Sequence, residues 1–159
     1  MKLVLKLVAV LVGVVLTVIA GALVAIRWQI EPALTGVRKL NRALTNRGAL
    51  RAAGTESSGT AVVVHRGRRS GKTFRTPVHL DRVQNSFVIA LAYGDGADWV
   101  RNVLANGGAV IELGGTTFVT KNPEVLPSAE VLDELPPRQQ RAITMFGVAK
   151  CLRLQIVVA

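Results

Sequence analysis

The sequence predicts an α+β domain built around a small antiparallel β-barrel and preceded by one helix that crosses a membrane. Three features support this prediction: a long apolar run near the start, six short β-rich stretches after Thr60, and two helical stretches among them. Short strands on turn-rich connections are typical of hairpins that close into a barrel. With 159 residues, the chain is long enough for one globular domain.

The first element is an apolar stretch from Leu7 to Ile26, followed by Arg27 and Trp28. About twenty helical residues cross the hydrocarbon core of a bilayer, and an arginine–tryptophan pair suits its interface. A cleaved signal peptide is the alternative, but the run is longer than a usual signal-peptide apolar region. We therefore predict a single-pass transmembrane anchor over residues 1–27.

Basic residues flank the anchor unequally, and the positive-inside rule then places the C-terminal domain in the cytoplasm. Two lysines precede the anchor, and five basic residues follow it by Arg47. The single cysteine, Cys151, forbids an internal disulfide, and its apolar neighbours predict a core position. We expect the chain at the cell membrane, with its globular domain in a reducing compartment.

Residues 28–54 are predicted to form a basic amphipathic juxtamembrane helix and a linker. Contact with anionic headgroups would account for part of the net charge of +10. The chain has only seven aromatic residues and no recognisable nucleic-acid-binding motif, so nucleic acid is not an expected partner. One cysteine and two histidines offer no dedicated metal-ligand set. The stretch Gly54–Gly59 marks the boundary with a barrel domain over residues 55–159.

Alternating or continuous β-rich patterns predict six strands in this domain. The predicted strands are Ala61–Val64, Arg75–Val83, Phe87–Leu91, Ala109–Leu113, Thr116–Lys121 and Cys151–Val158.

Two helical stretches interrupt these strands. Asp98 is placed to cap the first, which would bury Val100, Val103 and Leu104 and end at Asn106-Gly-Gly. The second begins at Ser128, breaks at Pro136-Pro137 and continues through Met145.

The stretch from His65 to His79 is typical of a turn that binds an anion, and we call it the cradle. Gly67 and Gly71 permit a tight turn, and basic side chains with two hydroxyl groups surround it. These are Arg66, Arg68, Arg69, Ser70, Lys72, Thr73 and Arg75. No acidic residue lies between Glu56 and Asp81, so the expected ligand carries phosphate or carboxylate groups.

This stretch has two alternative interpretations. The Gly-Lys-Thr at residues 71–73 resembles the end of a nucleoside-triphosphate P-loop, but only three residues separate the glycines and a strand pattern follows instead of a helix. A solvated basic hairpin is the other alternative.

The order of motifs resembles one family. The motifs are Gly67-Arg-Arg-Ser-Gly71, Arg75-Thr-Pro77, Tyr93-Gly94, Ala97-Asp-Trp-Val-Arg-Asn102, Leu135-Pro-Pro137 and the segment from Phe146 to Leu154. In this order they are similar to the deazaflavin-dependent nitroreductases and quinone reductases of the flavin/deazaflavin split-barrel superfamily. The resemblance covers about residues 55–158.

This resemblance implies a split β-barrel that binds coenzyme F-420, with FMN less expected, and passes a hydride to a quinone-like or nitro-containing acceptor. The coenzyme carries a phosphodiester and an oligoglutamate tail, which suit the basic cradle. The residues implied to bind it are Arg68, Arg69, Ser70, Gly71, Lys72, Arg75, Pro77, Tyr93, Gly94, Ala97, Asp98, Trp99 and Asn102.

On the substrate side, His79 is expected to be catalytic, donating a proton or hydrogen bond to the acceptor, and Phe146 to form an apolar wall. The chain has no tyrosine in the region Pro137–Lys150, where relatives often carry one. The expected partners are the deazaflavin and a membrane lipid or quinone. Two non-enzymatic readings are open: a lipid- or fatty-acid-binding barrel without redox activity, and a structural membrane-surface protein.

Overall fold

A computed structural model describes residues 53–55 and 59–157, together with isolated positions between Val10 and Val24. Seven antiparallel strands and three α-helices make up the main body. The strands are β1 Ala61–Arg66, β2 Thr73–Val78, β3 Asp81–Val83, β4 Ser86–Ala90, β5 Val110–Leu113, β6 Thr116–Pro127 and β7 Lys150–Ile156. The helices are α1 Asp98–Ala105, α2 Ser128–Val131 and α3 Pro137–Phe146, with a 3-10 turn Leu132–Glu134 after α2.

The strand order explains why the sheet curls. It runs β2-β1-β5-β6-β7-β4-β3, so β2 and β3 are its two edges. Only His79 and Leu80 join these edges, and a connection of two residues cannot cross the width of a flat seven-stranded sheet. The sheet therefore bends into an incomplete barrel, which agrees with the predicted split barrel.

One predicted strand is two strands in the structure. The stretch Arg75–Val83 was expected to be continuous, but β2 pairs with β1 whereas β3 pairs with β4. The chain changes partners at His79–Leu80, where it passes from one edge of the sheet to the other. Alternation of residue types alone does not reveal this break, because it continues on both sides.

The barrel interior is the larger of two apolar cores. It contains Phe87, Ile89, Ile111, Leu152 and Leu154 from the inner faces of the strands, and α1 closes it with Val100 and Val103. Leu104 was expected in the same stripe, but it is 39% exposed. Asn102 is buried instead, at 6% exposure, because its amide is hydrogen-bonded. The predicted capping role of Asp98 is also wrong, since Ala97 is the N-cap residue and Asp98 lies within the first turn.

A second core lies on the outer face of β4 and β7. Strand residues alternate between faces, so Val88 and Cys151 point away from the barrel interior. They pack against Val131, Leu135 and Ile143 from the C-terminal helices. This confirms the core position predicted for Cys151, whose thiol pKa is raised by burial. Strand β6 extends to Pro127, beyond the predicted end at Lys121, because pairing with β7 resumes after an irregularity between Lys121 and Glu124.

Most of the predicted anchor Leu7–Ile26, and residues 28–52 of the predicted basic helix, lie outside the described residues. The positions described between Val10 and Val24 are helical. None of the helices in the described ranges has the length and apolar composition that crossing a bilayer requires.

Candidate active site

The turn between β1 and β2 forms the predicted cradle. The Gly67 amide donates to the Lys72 carbonyl, and the Gly71 amide donates to the Gly67 carbonyl, both at 2.8 Å. Gly71 has a positive φ of 64°, and a Cβ on Gly67 would lie 2.8 Å from the Phe74 ring. The glycines therefore let the turn close tightly against β2, with Arg68, Arg69 and Ser70 between them.

Arg68 is fixed to the first turns of α1. Its backbone amide and its Nη1 both donate to the Asn102 side-chain oxygen, at 3.1 and 2.9 Å. Its Nη1 also donates to the Asp98 carbonyl at 3.3 Å, and its Nη2 to the Asp98 carboxylate at 2.9 Å. The Arg68 side chain is therefore held in one direction, whereas no acidic side chain in the described ranges pairs with Arg69 or Lys72.

His65 lies beneath this arrangement, near the end of β1. Its ring is buried, stacks on Phe74 with centroids 5.8 Å apart, and lies 3.3 Å from the Asn102 amide nitrogen. Its other nitrogen lies 3.2 Å from the Thr76 hydroxyl. Burial lowers the pKa of His65 below the usual 6.5, because a charged imidazolium would lose its hydration.

Arg75 occupies the opposite face of the sheet. Along β1, His65 alternates with Val64, and Arg75 lies opposite Val64 in the register with β2. The guanidinium of Arg75 makes a two-pronged ion pair with Glu112 of β5, with distances of 2.7 and 2.5 Å. The side chain predicted to bind the coenzyme is therefore bound to a carboxylate on the outer face. The pairing raises the pKa of Arg75 further.

The loop between β4 and α1 carries the predicted ring-bordering residues Tyr93 and Gly94. The Gly94 amide donates to the Leu91 carbonyl at 2.8 Å, and Gly94 has a φ of 72°. The neighbouring Asp95 carboxylate pairs with Lys150 at 2.8 Å, and this hydrogen bond lowers the pKa of Asp95. The loop is thus tied to the start of β7.

A cavity of about 1560 Å³ joins the turn, the loop, α1 and α3. Sites for single drug-sized ligands usually measure roughly 300–1,000 Å³, so this cavity has room for a coenzyme together with a second molecule. Every predicted site residue borders it except Gly71 and Lys72, although strand alternation directs the Arg75 side chain to the opposite face, where it binds Glu112. The predicted residues that line it are Arg68, Arg69, Ser70, Arg75, Pro77, His79, Tyr93, Gly94, Ala97, Asp98, Trp99, Asn102 and Phe146.

The cavity wall also includes polar residues that the sequence analysis did not single out as site residues: His65, Thr76, Asp81, Arg101 and Arg138. The position of His65 follows from alternation, because it is two residues from Val63, which faces the barrel interior. No sequence pattern predicted the cavity position of Arg138, because the packing of its helix against the barrel depends on contacts distant in sequence.

The far end of the cavity is mostly apolar. Pro136, Ala142, Ile143, Phe146 and Val148 line it, and Phe146 is 37% exposed. His79, on the connection between β2 and β3, lines the same cavity and is exposed. Close to His79, Asp81 has its pKa raised, mainly because burial disfavours its charged form, although His79 opposes this effect.

The chain also matches a known protein family. The sequence profile of the family described as F420H(2)-dependent quinone reductase matches residues 37–143, two thirds of the chain. The chain belongs to this family. As a member, it is a deazaflavin-dependent oxidoreductase whose cofactor is coenzyme F-420, so the sequence-based identification of family, enzyme class and cofactor is confirmed. The match begins at residue 37, upstream of the start predicted for the barrel domain.

Solved structures with similar folds were also found, whereas no curated protein matches the sequence. An F420-H2 dependent reductase, FDR-A, is 15% identical with a TM-score of 0.45, covering 61% of this chain and 94% of its own. The heme storage protein HutZ from Vibrio cholerae is 13% identical with a TM-score of 0.49, covering 65% of this chain and 85% of its own.

The residues present fit the coenzyme. Its phosphodiester and carboxylate tail require cations and hydrogen-bond donors, which Arg68, Arg69 and Ser70 supply at one end of the cavity. Its flat ring requires an apolar slot, and Ala97 and Trp99 pack against the barrel core in the same cavity wall. Among the described residues, no three His, Cys, Asp or Glu side chains are grouped to hold a metal ion.

Proposed function

We propose that this reductase passes a hydride from reduced coenzyme F-420 to a quinone that it takes from the membrane. The observation that carries the proposal is that one cavity is lined by a cluster of cations at the turn and by a mostly apolar group at α3, which also includes Arg138 and Gln139. A charged coenzyme and an apolar acceptor can then occupy the same space without competing for the same side chains.

At the cationic end, the chain's task is to hold the coenzyme in place. Arg69 and Ser70 extend from the turn, and Arg68 is already oriented by Asn102 and Asp98. An arginine that is fixed before binding loses little conformational freedom when it meets a phosphate or carboxylate. When bound, the coenzyme supplies the hydride, and the protein contributes position and electrostatics.

At the apolar end, the chain's task is to present a flat acceptor and to complete its reduction. Ile143, Phe146 and Val148 form an apolar wall that suits a quinone ring. A quinone that receives a hydride also needs one proton to become a hydroquinone. His79 is the side chain we assign to donate that proton or to hydrogen-bond the oxygen that receives it.

The membrane part of the proposal rests on the sequence. The apolar run Leu7–Ile26 would tether the domain to the bilayer, facing the cytoplasm, where the reduced coenzyme is expected. A tether raises the effective concentration of a lipid-soluble acceptor but not of a water-soluble one. A lipid quinone is therefore the acceptor that gains from this arrangement.

The test uses the full chain in liposomes supplied with reduced coenzyme F-420. One set of liposomes contains menaquinone, and a second set lacks it and receives a soluble nitro compound. We expect turnover of menaquinone and a lower kcat/KM for the nitro compound. Turnover of the nitro compound alone would contradict the assignment of the acceptor and leave the cofactor unaffected.

The position of the anchor needs its own measurement. We expect the full chain to remain in the membrane fraction after a high-salt and an alkaline wash, because an apolar helix is not released by either. A reporter that is active only in the cytoplasm should be active when it is fused after Ala159. A shortened, soluble, exported form would contradict the anchor and support the signal-peptide alternative.

A further inference from the structure

We infer that His65 is a positioning residue, which acts through Asn102 to fix the direction of Arg68 at the cationic end of the cavity. His65 is buried behind Asn102, whose amide lies between the imidazole and Arg68. The inference rests on the proposed function in one respect: Arg68 is taken to contact the anionic part of the coenzyme.

The orientation of the Asn102 amide is dictated by Arg68. The Asn102 oxygen accepts from the Arg68 backbone amide and from Arg68 Nη1, and both of these groups can only donate. The Asn102 nitrogen must therefore face the other way, toward His65 Nδ1 at 3.3 Å. The amide cannot rotate by half a turn without placing its NH₂ group against the two donors of Arg68.

This orientation in turn sets the tautomer of His65. An NH₂ group only donates, so His65 Nδ1 must carry a lone pair, and the ring hydrogen must be on Nε2. That hydrogen points toward the Thr76 hydroxyl at 3.2 Å, which can accept it. Only a neutral imidazole with this tautomer satisfies both neighbours.

Protonation of His65 would disrupt this arrangement. A hydrogen on Nδ1 would face the Asn102 NH₂ group, so the amide would lose a bond or turn its oxygen away from Arg68. The charged groups linked to His65 through hydrogen bonds are the Arg68 guanidinium and, beyond it, the Asp98 carboxylate. The other charged residues that line the same cavity are Arg69, Arg75, Asp81, Arg101 and Arg138. Strand β2 contributes Phe74 and Thr76, which carry no charge. The lowered pKa of His65 agrees with an environment that favours its neutral form.

Two substitutions separate this role from simple packing. His65→Asn places an amide oxygen close to the position of Nδ1, so it can still accept from Asn102, but it loses the stacking on Phe74 and does not titrate. His65→Leu retains apolar bulk but cannot accept a hydrogen bond. A packing role therefore makes the leucine variant the better substitute, whereas a positioning role favours the asparagine variant.

The first measurement needs no ligand. The full chain, isotopically labelled in detergent micelles, is examined by NMR for the His65 ring nitrogen shifts and the hydrogen exchange of the Arg68 backbone amide. We expect the tautomer with hydrogen on Nε2 in the wild type. Relative to the wild type, we expect Arg68 exchange at least about tenfold faster in His65→Leu and less changed in His65→Asn. The opposite ranking of the variants, or the other tautomer, would overturn the inference.

The second measurement is the affinity for oxidised coenzyme F-420 as the pH is lowered from about 7.5. We expect wild-type affinity to fall roughly tenfold more than that of His65→Asn as His65 becomes protonated, and His65→Leu to bind weakly throughout. Titration of the coenzyme itself affects both proteins equally and cancels in this comparison. Parallel pH profiles for the wild type and His65→Asn would overturn the inference. Absence of binding in all three proteins would contradict the proposed function, and Arg68 exchange in the free protein would then decide the inference.

Discussion

At the turn between β1 and β2, the cavity wall consists of side chains hydrogen-bonded to one another, whereas at α3 it is mostly apolar, with Ile143 and Phe146 on the same helix as Arg138. Arg68 makes four hydrogen bonds to α1, and His65 is held between Thr76 and Asn102. At the other end, Phe146 is partly exposed, and its neighbour Met145 is 68% exposed.

Under the proposed function, the two parts of the cavity would select their ligands differently. Hydrogen-bonded, charged side chains discriminate by direction and charge, so the turn suits one invariant coenzyme. Apolar side chains discriminate mainly by shape and size, and they reject related molecules weakly. The acceptor is therefore the more easily changed of the two ligands. Substitutions in each part of the cavity wall should therefore have effects of different size and kind.

Removal of a cation from the turn should have the largest effect. Arg68→Ala and Arg69→Ala are each expected to weaken coenzyme F-420 binding by roughly 1.5–3 kcal/mol, the usual contribution of hydrogen bonds to charged groups. Arg141→Ala is the matched control, because Arg141 lies on α3 in a separate groove with Met145. The measurement is fluorescence titration at several salt concentrations. An equal loss of affinity in all three variants, relative to the wild type, would show that the charge acts only at long range.

Gly67→Ala tests whether the turn is as tightly packed as the contacts indicate. An added Cβ would lie 2.6 Å from the Ser70 hydroxyl and 2.8 Å from the Phe74 ring. We expect unfolding free energy to fall by about 1–3 kcal/mol, the usual cost of overpacking. Gly59→Ala is the control, since no atom of the described residues lies within 4 Å of its added Cβ. Denaturant unfolding measures the free energy of unfolding of both variants. Equal values would mean that the turn adjusts to the added Cβ at no cost in stability.

Phe146→Ala tests the apolar end. Loss of part of an aromatic wall is expected to cost about 1 kcal/mol of acceptor binding, seen as a severalfold higher KM for the quinone. The affinity for coenzyme F-420 should not change. Met145→Ala, which removes a neighbouring side chain outside this cavity, should leave both values near those of the wild type. A loss of coenzyme affinity in Phe146→Ala would contradict the assignment of the coenzyme and the acceptor to different parts of the cavity.

Arg75→Ala should affect coenzyme binding less than Arg69→Ala does. The Arg75 guanidinium is bound to Glu112 on the face of the sheet opposite His65. We expect less than about a threefold change in affinity, because a guanidinium directed away from the cavity would act on the coenzyme only through its long-range charge, which salt screens. A loss as large as that of Arg69→Ala would mean that the coenzyme displaces Glu112.

The smallest expected effect concerns the Asp95–Lys150 pair, which ties down the loop between the two ends. Its side chains are nearly half exposed, so Lys150→Ala should lower the unfolding free energy by only about 0.2–1 kcal/mol. Because the pKa of Asp95 is lowered, this contribution is present above pH 3.8 and is lost as the pH falls through the folded-state pKa. Chemical unfolding of both proteins from pH 7 to pH 3 measures it. A difference in unfolding free energy between the two proteins that grows as the pH falls would contradict its origin in the Asp95–Lys150 pair.

Local patterns were sufficient to predict much of the fold. The β-rich stretches, the glycine-bounded turn and the helix that ends at Asn106 follow from residue preferences over a few positions. The missed features depend on contacts between distant residues. Asp98 lies inside the helix and its carboxylate binds Arg68, thirty residues earlier, and Asn102 is buried because His65 and Arg68 satisfy its amide.

For the candidate site, the sequence predicted which residue types gather but not where each side chain is directed. Arg75 has the same charge as Arg69, yet strand register places it beside Glu112. Register is fixed by pairing across the sheet, so a list of cations cannot reveal it. The roles of His79 and Phe146 and the presence of the anchor stay predictions.

The two-residue connection His79–Leu80 also affects how this chain behaves toward other copies of itself. An open sheet edge is a template on which strands from other chains can add, and aggregation can begin there. In this fold the two edges, β2 and β3, are brought together by the connection and border a common cavity. Lengthening the connection would let the edges separate, and we expect the protein to lose solubility before it loses its core.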